Sequence, residues 1–433
     1  MPRTLVRRII LCAALAAPAL VLRFTGIDVA PVVNMLLFGA AIVAAAFLLA
    51  WAAEAAQKDI SGALAIALLA LIAVLPEYAV DLYYAFRSGS DPEFLHYAAA
   101  NMTGSNRLLL GFGWPLVALV ALLFARRAAR RVSRRGRIRS PRSLVLPTAS
   151  RLDIGFLAIL AVVAFAIPLM GSIPLWFGIA LILMFALYLW RAGRTGGDEE
   201  AEFVGAAAQI AAMPARIRRI TVLGLFLGSA TIILLSAEPF AEALVASGTV
   251  LGIDSYFLVQ WLAPLASEAP EFIIAVMFAV RGMGAAAIGT LIASKVNQWS
   301  LLVGSLPLAH LAGGGPASLL LDARQIEEFT LTATQTLLGV AMIVALRFHW
   351  GSALGLASLF ALQFAITDTT GRYVLSAIQA VLAIGYLVAH RRTILPALRA
   401  PFRRPAAPQP VELDPPAPRL PPPSPGRGPG CLE

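Results

Sequence analysis

The chain of 433 residues is 59% hydrophobic and only 13% charged, with a mean hydropathy of +0.80. Because soluble domains carry about 25% charged residues, this composition excludes a soluble domain and indicates a polytopic membrane protein. The net charge of +10 does not indicate nucleic-acid binding, since nearly all of the basic residues are arginines at the edges of apolar runs, where they orient a chain in the bilayer.

Apolar runs long enough to cross a bilayer follow one another along most of the chain. One span needs about 20 apolar residues. The runs predict twelve spans, near residues 9–24, 30–52, 61–86, 95–125, 154–171, 173–191, 220–244, 255–280, 285–312, 329–347, 351–369 and 373–390. The first run follows three arginines, as in a signal peptide, but it has no clean small-residue cleavage site after it. We therefore interpret it as a helix.

Arginine-rich loops determine the predicted orientation. Nine arginines lie between Arg126 and Arg142. Five more flank the next long loop: Arg191, Arg194, Arg216, Arg218 and Arg219. Positively charged loops stay in the cytoplasm, so both loops are predicted to lie there. An even number of spans then places both termini in the cytoplasm, and we expect a multi-pass protein in the lipid bilayer of a bacterial inner membrane.

Two segments of the chain are similar to each other, residues 76–111 and residues 264–298. Each contains a proline followed by a glutamate and an aromatic residue, with an arginine ten residues after the glutamate. By the span count the first of these helices runs outward and the second runs inward, so the copies have inverted topology. Inverted repeats with interrupted helices are typical of secondary transporters, whose ion site lies at the repeat interface near the midplane. We predict an all-α bundle that opens one central site to each side in turn.

The glutamates of the two repeats, Glu77 and Glu271, are the central candidates for that site. A carboxylate inside a membrane costs at least a few kcal/mol unless it is protonated, paired or bound to an ion. The proline before each glutamate removes a backbone donor and leaves a carbonyl oxygen available to a cation. Glu77 and Glu271 are therefore predicted to bind a metal ion and protons in turn. No cofactor is expected, and the candidate transported ions are Na+, Ca2+ and H+.

Neutral oxygen atoms near the glutamates supply the ligand type that hard cations such as calcium take. The predicted neutral ion-binding residues are Asn101, Ser105, Asn106, Ser267, Ser294, Asn297 and Gln298. Small residues at Gly104, Gly289 and Ala293 are predicted to let two helices approach closely.

Further charged residues are expected along the proton path or in place of a transported cation. Lys295 and Arg107 follow the candidate ligands of the two repeats, and each could take the place of a bound cation or form a static ion pair. Asp81 lies four residues after Glu77, and Glu268 lies three before Glu271. Each could be a second acid on the proton path or a partner in a structural hydrogen bond.

The pattern in these two segments resembles the paired alpha-repeats of the calcium/cation antiporter superfamily, which contains the sodium/calcium exchangers and their proton-coupled relatives. The resemblance covers residues 73–111 and 267–304. It rests on Pro-Glu followed by Asn-x-x-Gly-Ser-Asn in the first copy, and on Ser-x-x-Pro-Glu followed by Gly-x-x-x-Ala-Ser in the second. It implies that Glu77 and Glu271 are the two central glutamates of the family.

The resemblance also implies a fold of ten core helices in two inverted halves, formed here by the second to eleventh spans, and hydroxyl ligands at Ser105, Ser267 and Ser294. One extra helix is then expected at each end of the chain. The expected organisation is an extra helix over 1–29, a first half over 30–192, a loop over 193–219, a second half over 220–370, an extra helix over 371–392 and a disordered Pro/Arg-rich tail over 393–433.

The expected function is a secondary cation antiporter that exchanges Na+ or Ca2+ for H+ or Na+ by alternating access. The sequence departs from the family pattern at Ala73, Leu109, Lys295 and Gln298, where other polar ligands are usual. A non-transporting scaffold on a degenerate exchanger fold is therefore an alternative. A membrane enzyme is less well supported, because no nucleophile, metal-ligand or phosphate-binding motif accompanies the carboxylates.

Overall fold

The computed structural model describes residues 2–59, 74–132, 141–195, 203 and 205–402. Nearly all of this part of the chain is helical. Its helices are α1 Arg3–Thr25, α2 Pro31–Ala56, α3 Leu75–Ser88, α4 Phe94–Leu108, α5 Trp114–Val132, α6 Arg151–Val163, α7 Ala166–Met170, α8 Leu175–Thr195, α9 Gly205–Ala211, α10 Ala215–Leu251, α11 Ser255–Val280, α12 Gly284–Asn297, α13 Val303–Ala312, α14 Ala323–Ile343, α15 Trp350–Ala365, α16 Thr369–Ala389 and α17 Arg391–Arg399. The tail after residue 402 lies outside the described residues.

The two halves repeat the same order of elements. Helices α2 to α8 form the first half, helices α10 to α15 form the second, and α1 and α16 lie before and after them. In each half a helix passes through a π-helical segment into the next helix: Leu109–Gly113 joins α4 to α5, and Gln298–Leu302 joins α12 to α13. Such segments widen the backbone and are frequent at functional sites. The predicted inverted-repeat bundle with an extra helix at each end is therefore confirmed.

Four short strands connect one half to the other. Strand β1 Ser143–Val145 pairs antiparallel with β4 Arg347–His349, and β2 Ser172–Pro174 pairs with β3 Ser318–Leu320. β1 and β2 belong to the first half, and each pairs with a strand of the second half. The two ribbons lie at opposite ends of the continuous segment that contains α6 and α7, as an inverted repeat requires.

Eight helical segments within the described residues are long and apolar enough to cross a membrane. They are Arg3–Thr25, Pro31–Ala56, Phe94–Arg127, Thr148–Met170, Leu175–Arg194, Ala215–Leu251, Ser255–Val280 and Thr369–Ala389. The predicted span at 285–312 is divided by the second π-helical segment, and the one at 351–369 is the shorter helix α15. The third predicted span, 61–86, is described only from residue 74. The predicted span at 329–347 overlaps α14, which begins at Ala323, ends at Ile343 and contains buried polar side chains.

Small residues bring the helices of the two halves together. Along α2, alanines pack against α10, and a Cβ atom at Gly39 would lie 2.9 Å from the Phe240 ring. At Gly104 in α4 a Cβ atom would lie 1.8 Å from the Gln260 carbonyl oxygen of α11, so close approach at this residue is confirmed. Gly289 shows no such approach, because no atom of the described residues lies within 4 Å of its Cβ position.

Candidate cation site at the repeat interface

Glu77 lies in the first turn of α3 and contacts the end of α4. Pro76 is at the start of that helix, where a residue without a backbone donor is tolerated. The Ser105 hydroxyl lies 2.5 Å from Glu77 Oε1, and both side chains are buried. The first repeat therefore supplies one carboxylate and one hydroxyl to the membrane interior.

The second repeat adds Glu268 from α11 and Gln298 from the π-helical segment. The Ser105 hydroxyl also contacts Glu268 Oε1. Gln298 Nε2 lies 3.1 Å from Glu77 Oε1, 2.9 Å from Ser105 Oγ and 2.7 Å from Glu268 Oε1. Two carboxylates from opposite halves thus converge on one hydroxyl and one amide, and all four side chains are buried. We call Glu77, Ser105, Glu268 and Gln298 the central cluster.

This convergence has an electrostatic consequence. One hydroxyl proton and two amide protons cannot saturate two carboxylates, and the second oxygen of Glu268 has no hydrogen-bond partner among the described residues. Two like charges this close, away from water, cannot both persist without a positive partner. The central cluster can therefore hold a cation or protons, and loss of one favours uptake of the other.

Glu271 binds a hydroxyl of its own half. It accepts a hydrogen bond from Ser294 at 3.1 Å, and both side chains are half-buried. The Ser294 bond to Glu271 repeats the Ser105 bond to Glu77 in the first half, but the acid that shares Ser105 with Glu77 is Glu268. That Glu77 and Glu271 both bind the transported ion stays a prediction.

Lys295 binds the first repeat rather than a carboxylate. Its Nζ lies 2.5 Å from the Asn106 carbonyl oxygen and 2.7 Å from Asn106 Oδ1, and the lysine side chain is fully buried. Trp299 lies on one side, with its ring centre 5.9 Å from Nζ. The charge of Lys295 acts on Glu268 and Glu77 without a direct hydrogen bond to either of them.

Arg107 forms an ion pair outside the central cluster, which is the second of the two alternatives that the sequence left open. Its guanidinium forms an ion pair with Glu328 of α14, and both side chains are buried. It also donates to Gln363 at 3.1 Å and lies 5.1 Å from the Trp261 ring centre. Arg372 of α16 binds Glu328 as well. Arg107 is therefore neutralised by its own partner and is not available to the carboxylates of the cluster.

Three of the predicted neutral ligands have other contacts. Asn101 donates to Asp81 at 2.8 Å, and Asp81 is fully buried with its second oxygen unpartnered among the described residues. Asn297 accepts a hydrogen bond from the Tyr78 hydroxyl at 3.0 Å. Ser267 donates back to its own helix, to the Ala263 carbonyl at 3.1 Å. These residues surround the central cluster but do not join it.

The sequence analysis did not identify Glu328, its partner Arg372 or the neighbouring Glu327, which Arg372 also binds. Both acids precede the predicted tenth span, whereas α14 begins at Ala323 and buries them. Two adjacent acids before an apolar run, together with Arg372 at the start of the last span, were the available signal. Ala73, where the sequence departs from the family pattern, lies outside the described residues.

No group of three or more His, Cys, Asp or Glu side chains within the described ranges is arranged to hold a metal ion. The metal site predicted at Glu77 and Glu271 stays a prediction. A hard cation in the central cluster would therefore bind the carboxylates of Glu77 and Glu268 together with neutral oxygens such as those of Ser105 and Gln298.

The fold and the site define a secondary cation transporter: two inverted halves with interrupted helices and a buried polar site at their interface. The profile of the sodium/calcium exchanger protein family matches residues 30–193 and 221–367. The chain belongs to this family, which is a family of ion exchangers, and the expected class of integral membrane cation antiporter is confirmed. Comparison with curated proteins gave no match.

Solved structures agree with this assignment. The H+/Ca2+ exchanger CAX is 37% identical with a TM-score of 0.84, over 93% of this chain and 98% of that one. YfkE is 16% identical with a TM-score of 0.58, over 88% of this chain and 99% of that one. The sodium-calcium exchanger NCX_Mj is 15% identical with a TM-score of 0.50, over 78% and 98% of the two chains. The last two similarities concern the fold alone.

Proposed function

We propose that this protein exchanges Ca2+ for H+ and that the central cluster is its shared binding site. The observation that carries the proposal is the convergence of Glu77 and Glu268, from opposite halves, on Ser105 and Gln298. One divalent cation or two protons neutralise the two carboxylates equally well, so each displaces the other. The similarity to the H+/Ca2+ exchanger CAX supports this choice of ions.

Each residue of the site has a proposed role. Glu77 and Glu268 bind the cation and the protons, while Ser105 and Gln298 orient the two carboxylates. Glu271, held by Ser294, approaches the cation from the half-buried side as a third acid. Asp81, one helical turn after Glu77 on α3, and Asn101 of α4, which donates to it, lie on the proton path.

Transport follows from the division of the site between the halves. Because Glu77 and Ser105 move with the first half while Glu268 and Gln298 move with the second, a rocking motion opens the site to one side and then to the other. The arginine-rich loops support a cytoplasmic N-terminus and a cytoplasmic loop over 193–219, and the membrane is proposed to be the bacterial inner membrane. A non-transporting scaffold would not need two acids that compete for the same donors.

The test is ion flux in proteoliposomes with an imposed pH gradient. We expect Ca2+ uptake driven by the outward proton gradient, and we expect Glu77→Gln to abolish it. Glu93→Gln is the matched control, since Glu93 is an exposed carboxylate outside the cluster. Ca2+ uptake that follows a sodium gradient but not a pH gradient, or full uptake by the Glu77→Gln protein, would refute the proposal.

A further inference from the structure

We propose that the Lys295 ammonium is a built-in monovalent cation, which permanently fills a cation position formed by the oxygens of Asn106 and thereby makes exchange independent of Na+. The inference rests on the proposed Ca2+/H+ exchange and adds a determinant of ion specificity to it. Its basis is the geometry around Nζ, the symmetry of the two halves and the balance of charge.

The atoms around Nζ are those that a transported cation uses. A backbone carbonyl oxygen and a side-chain amide oxygen, both of Asn106, lie 2.5 and 2.7 Å away. Asn106 lies three residues before the π-helical segment, in a helix that continues through this segment into α5. Backbone carbonyl oxygens at interruptions of transporter helices coordinate Na+. Lys295 therefore occupies a position with the chemistry of a monovalent cation site.

The repeat explains how one residue can fill this position. The π-helical segments begin four residues after Ser105 and four after Ser294, so Asn106 and Lys295 are equivalent residues of the two halves. Lys295 thus reaches across the interface to its own counterpart. The Asn106 amide nitrogen donates back to the Met102 carbonyl at 3.1 Å, which directs the Asn106 side-chain oxygen to the lysine.

The nature of its partners distinguishes Lys295 from an ordinary buried ion pair. Within the described residues both of its hydrogen bonds go to neutral oxygens, whereas the equally buried Arg107 is paired with Glu328. Among the described residues the Lys295 ammonium therefore has no carboxylate within hydrogen-bond distance, and its two bonds both go to Asn106.

The charge balance of the site requires such a cation. Three ionised carboxylates, at Glu77, Glu268 and Glu271, are neutralised by one Ca2+ together with the Lys295 ammonium. When Ca2+ leaves, two protons restore the same balance. Without the lysine, the three carboxylates carry one negative charge more than Ca2+ or two protons neutralise, and Na+ is the monovalent cation expected to bind the oxygens that the lysine vacates.

The decisive experiment removes the lysine and asks whether Na+ replaces it. Lys295→Ala is compared with the wild type and with Lys58→Ala, because Lys58 is the second of the two lysines in the chain and binds the Ala211 carbonyl far from the cluster. Ca2+ uptake driven by a pH gradient is measured in sodium chloride and in choline chloride at equal ionic strength. We expect Na+ to change uptake about fivefold or more for Lys295→Ala and to leave the wild type and Lys58→Ala unchanged.

A second measurement does not depend on transport. The melting temperature of each purified protein in detergent is compared in Na+ and in choline, because a ligand that binds the folded state raises it. Na+ should stabilise Lys295→Ala specifically, with Lys295→Gln as a second neutral variant if the alanine protein is not monodisperse. Lack of a Na+ effect in both assays, or Na+ stabilisation of the wild type, would overturn the inference. A wild type without proton-driven Ca2+ uptake would instead refute the proposed function, while the melting assay would still test Lys295.

Discussion

At the scale of single residues, the site is less symmetric than the fold that carries it. Ser105 binds Glu77 in the first half, and Ser294 binds Glu271 in the second. The positions equivalent to Glu268 and Gln298 in the first half are Val74 and Leu109, which are apolar. The second half therefore supplies an acid and an amide that have no counterpart in the first half. The negative charge is concentrated near Glu77.

This asymmetry predicts different effects for two neighbouring acids of α11. Glu268→Gln should abolish proton-driven Ca2+ uptake, because it removes one of the two carboxylates that share Ser105 and Gln298. Glu271→Gln should retain transport and raise the Ca2+ concentration for half-maximal uptake about tenfold, or about 1.4 kcal/mol of binding. Initial uptake rates over a range of Ca2+ concentrations measure both. The opposite ranking of the two variants would place the principal site at Glu271.

At the scale of elements, a proline and a glycine together bring α4 and α11 into contact. Pro264 removes a donor from α11, which frees the Gln260 carbonyl four residues earlier. Gly104 lies directly against that carbonyl oxygen, where no Cβ atom fits. This contact sits one residue before Ser105, so the position of the hydroxyl in the central cluster depends on it.

Two glycine substitutions test this contact. Gly104→Ala forces α4 and α11 apart and should reduce both Ca2+ uptake and the melting temperature in detergent. Gly289→Ala is the matched control on α12, because its Cβ position is open and alanine favours a helix over glycine by about 1 kcal/mol. It should leave uptake unchanged and stability equal or slightly higher. An equal loss of Ca2+ uptake and of melting temperature in both variants would mean that the glycines act through backbone flexibility instead.

A buried network of ion pairs joins α16 to α4 and α14. Arg107 of α4 and Arg372 of α16 both bind Glu328 of α14, and Arg372 also binds Glu327 at 3.2 Å. Arg107→Met should destabilise the protein by about 3–5 kcal/mol, because removal of one partner leaves a buried charge uncompensated. Unfolding in denaturant measures the loss. The double variant with Glu328→Gln should recover part of it, and a double variant no better than the single one would argue against the pairing.

At the scale of the whole molecule, a polar clamp joins the first helix of one half to the first helix of the other. Asp59, just after α2, binds the Arg218 guanidinium of α10 through two bonds of 2.6 and 2.7 Å. Arg218 also binds the carbonyl oxygens of Ala211 and Met213. Because α2 and α10 pack along each other inside the membrane, the clamp keeps their ends together while the remaining helices rock.

The clamp has a predictable response to pH. The hydrogen bond from Arg218 lowers the pKa of Asp59 from 3.8 to about 2. A lowered pKa in the folded state means that the stabilisation is present above about pH 4 and is lost as the pH falls towards 2. The difference in melting temperature between wild type and Asp59→Asn should therefore be constant above about pH 5 and shrink below pH 4. A difference that varies between neutral and mildly acidic pH would assign the effect to another group.

The sequence by itself determined the membrane class and the inverted repeat, and it predicted Glu77, Ser105 and the polar residues from Ser294 to Gln298 as site residues. Hydropathy and the positions of arginines are properties of local sequence, and the Pro-Glu pattern occurs once in each repeat. These features can therefore be identified without the tertiary structure. The bounds of a span were predicted less accurately where polar residues lie inside the bundle, as at Glu328 of α14.

Only the tertiary structure decided which charges meet. The charged residues in question all belong to the two repeats: Glu268, Glu271, Arg107 and Lys295. Their spacing does not predict that Glu268 shares Ser105 with Glu77 or that Ser294 binds Glu271. It also does not predict that Arg107 pairs with Glu328 or that Lys295 binds Asn106. Those pairings join residues far apart in the chain. They depend on how two helices cross and on the π-helical segments that rotate the residues after Ser105 and Ser294, and both are set by packing between halves rather than by local sequence.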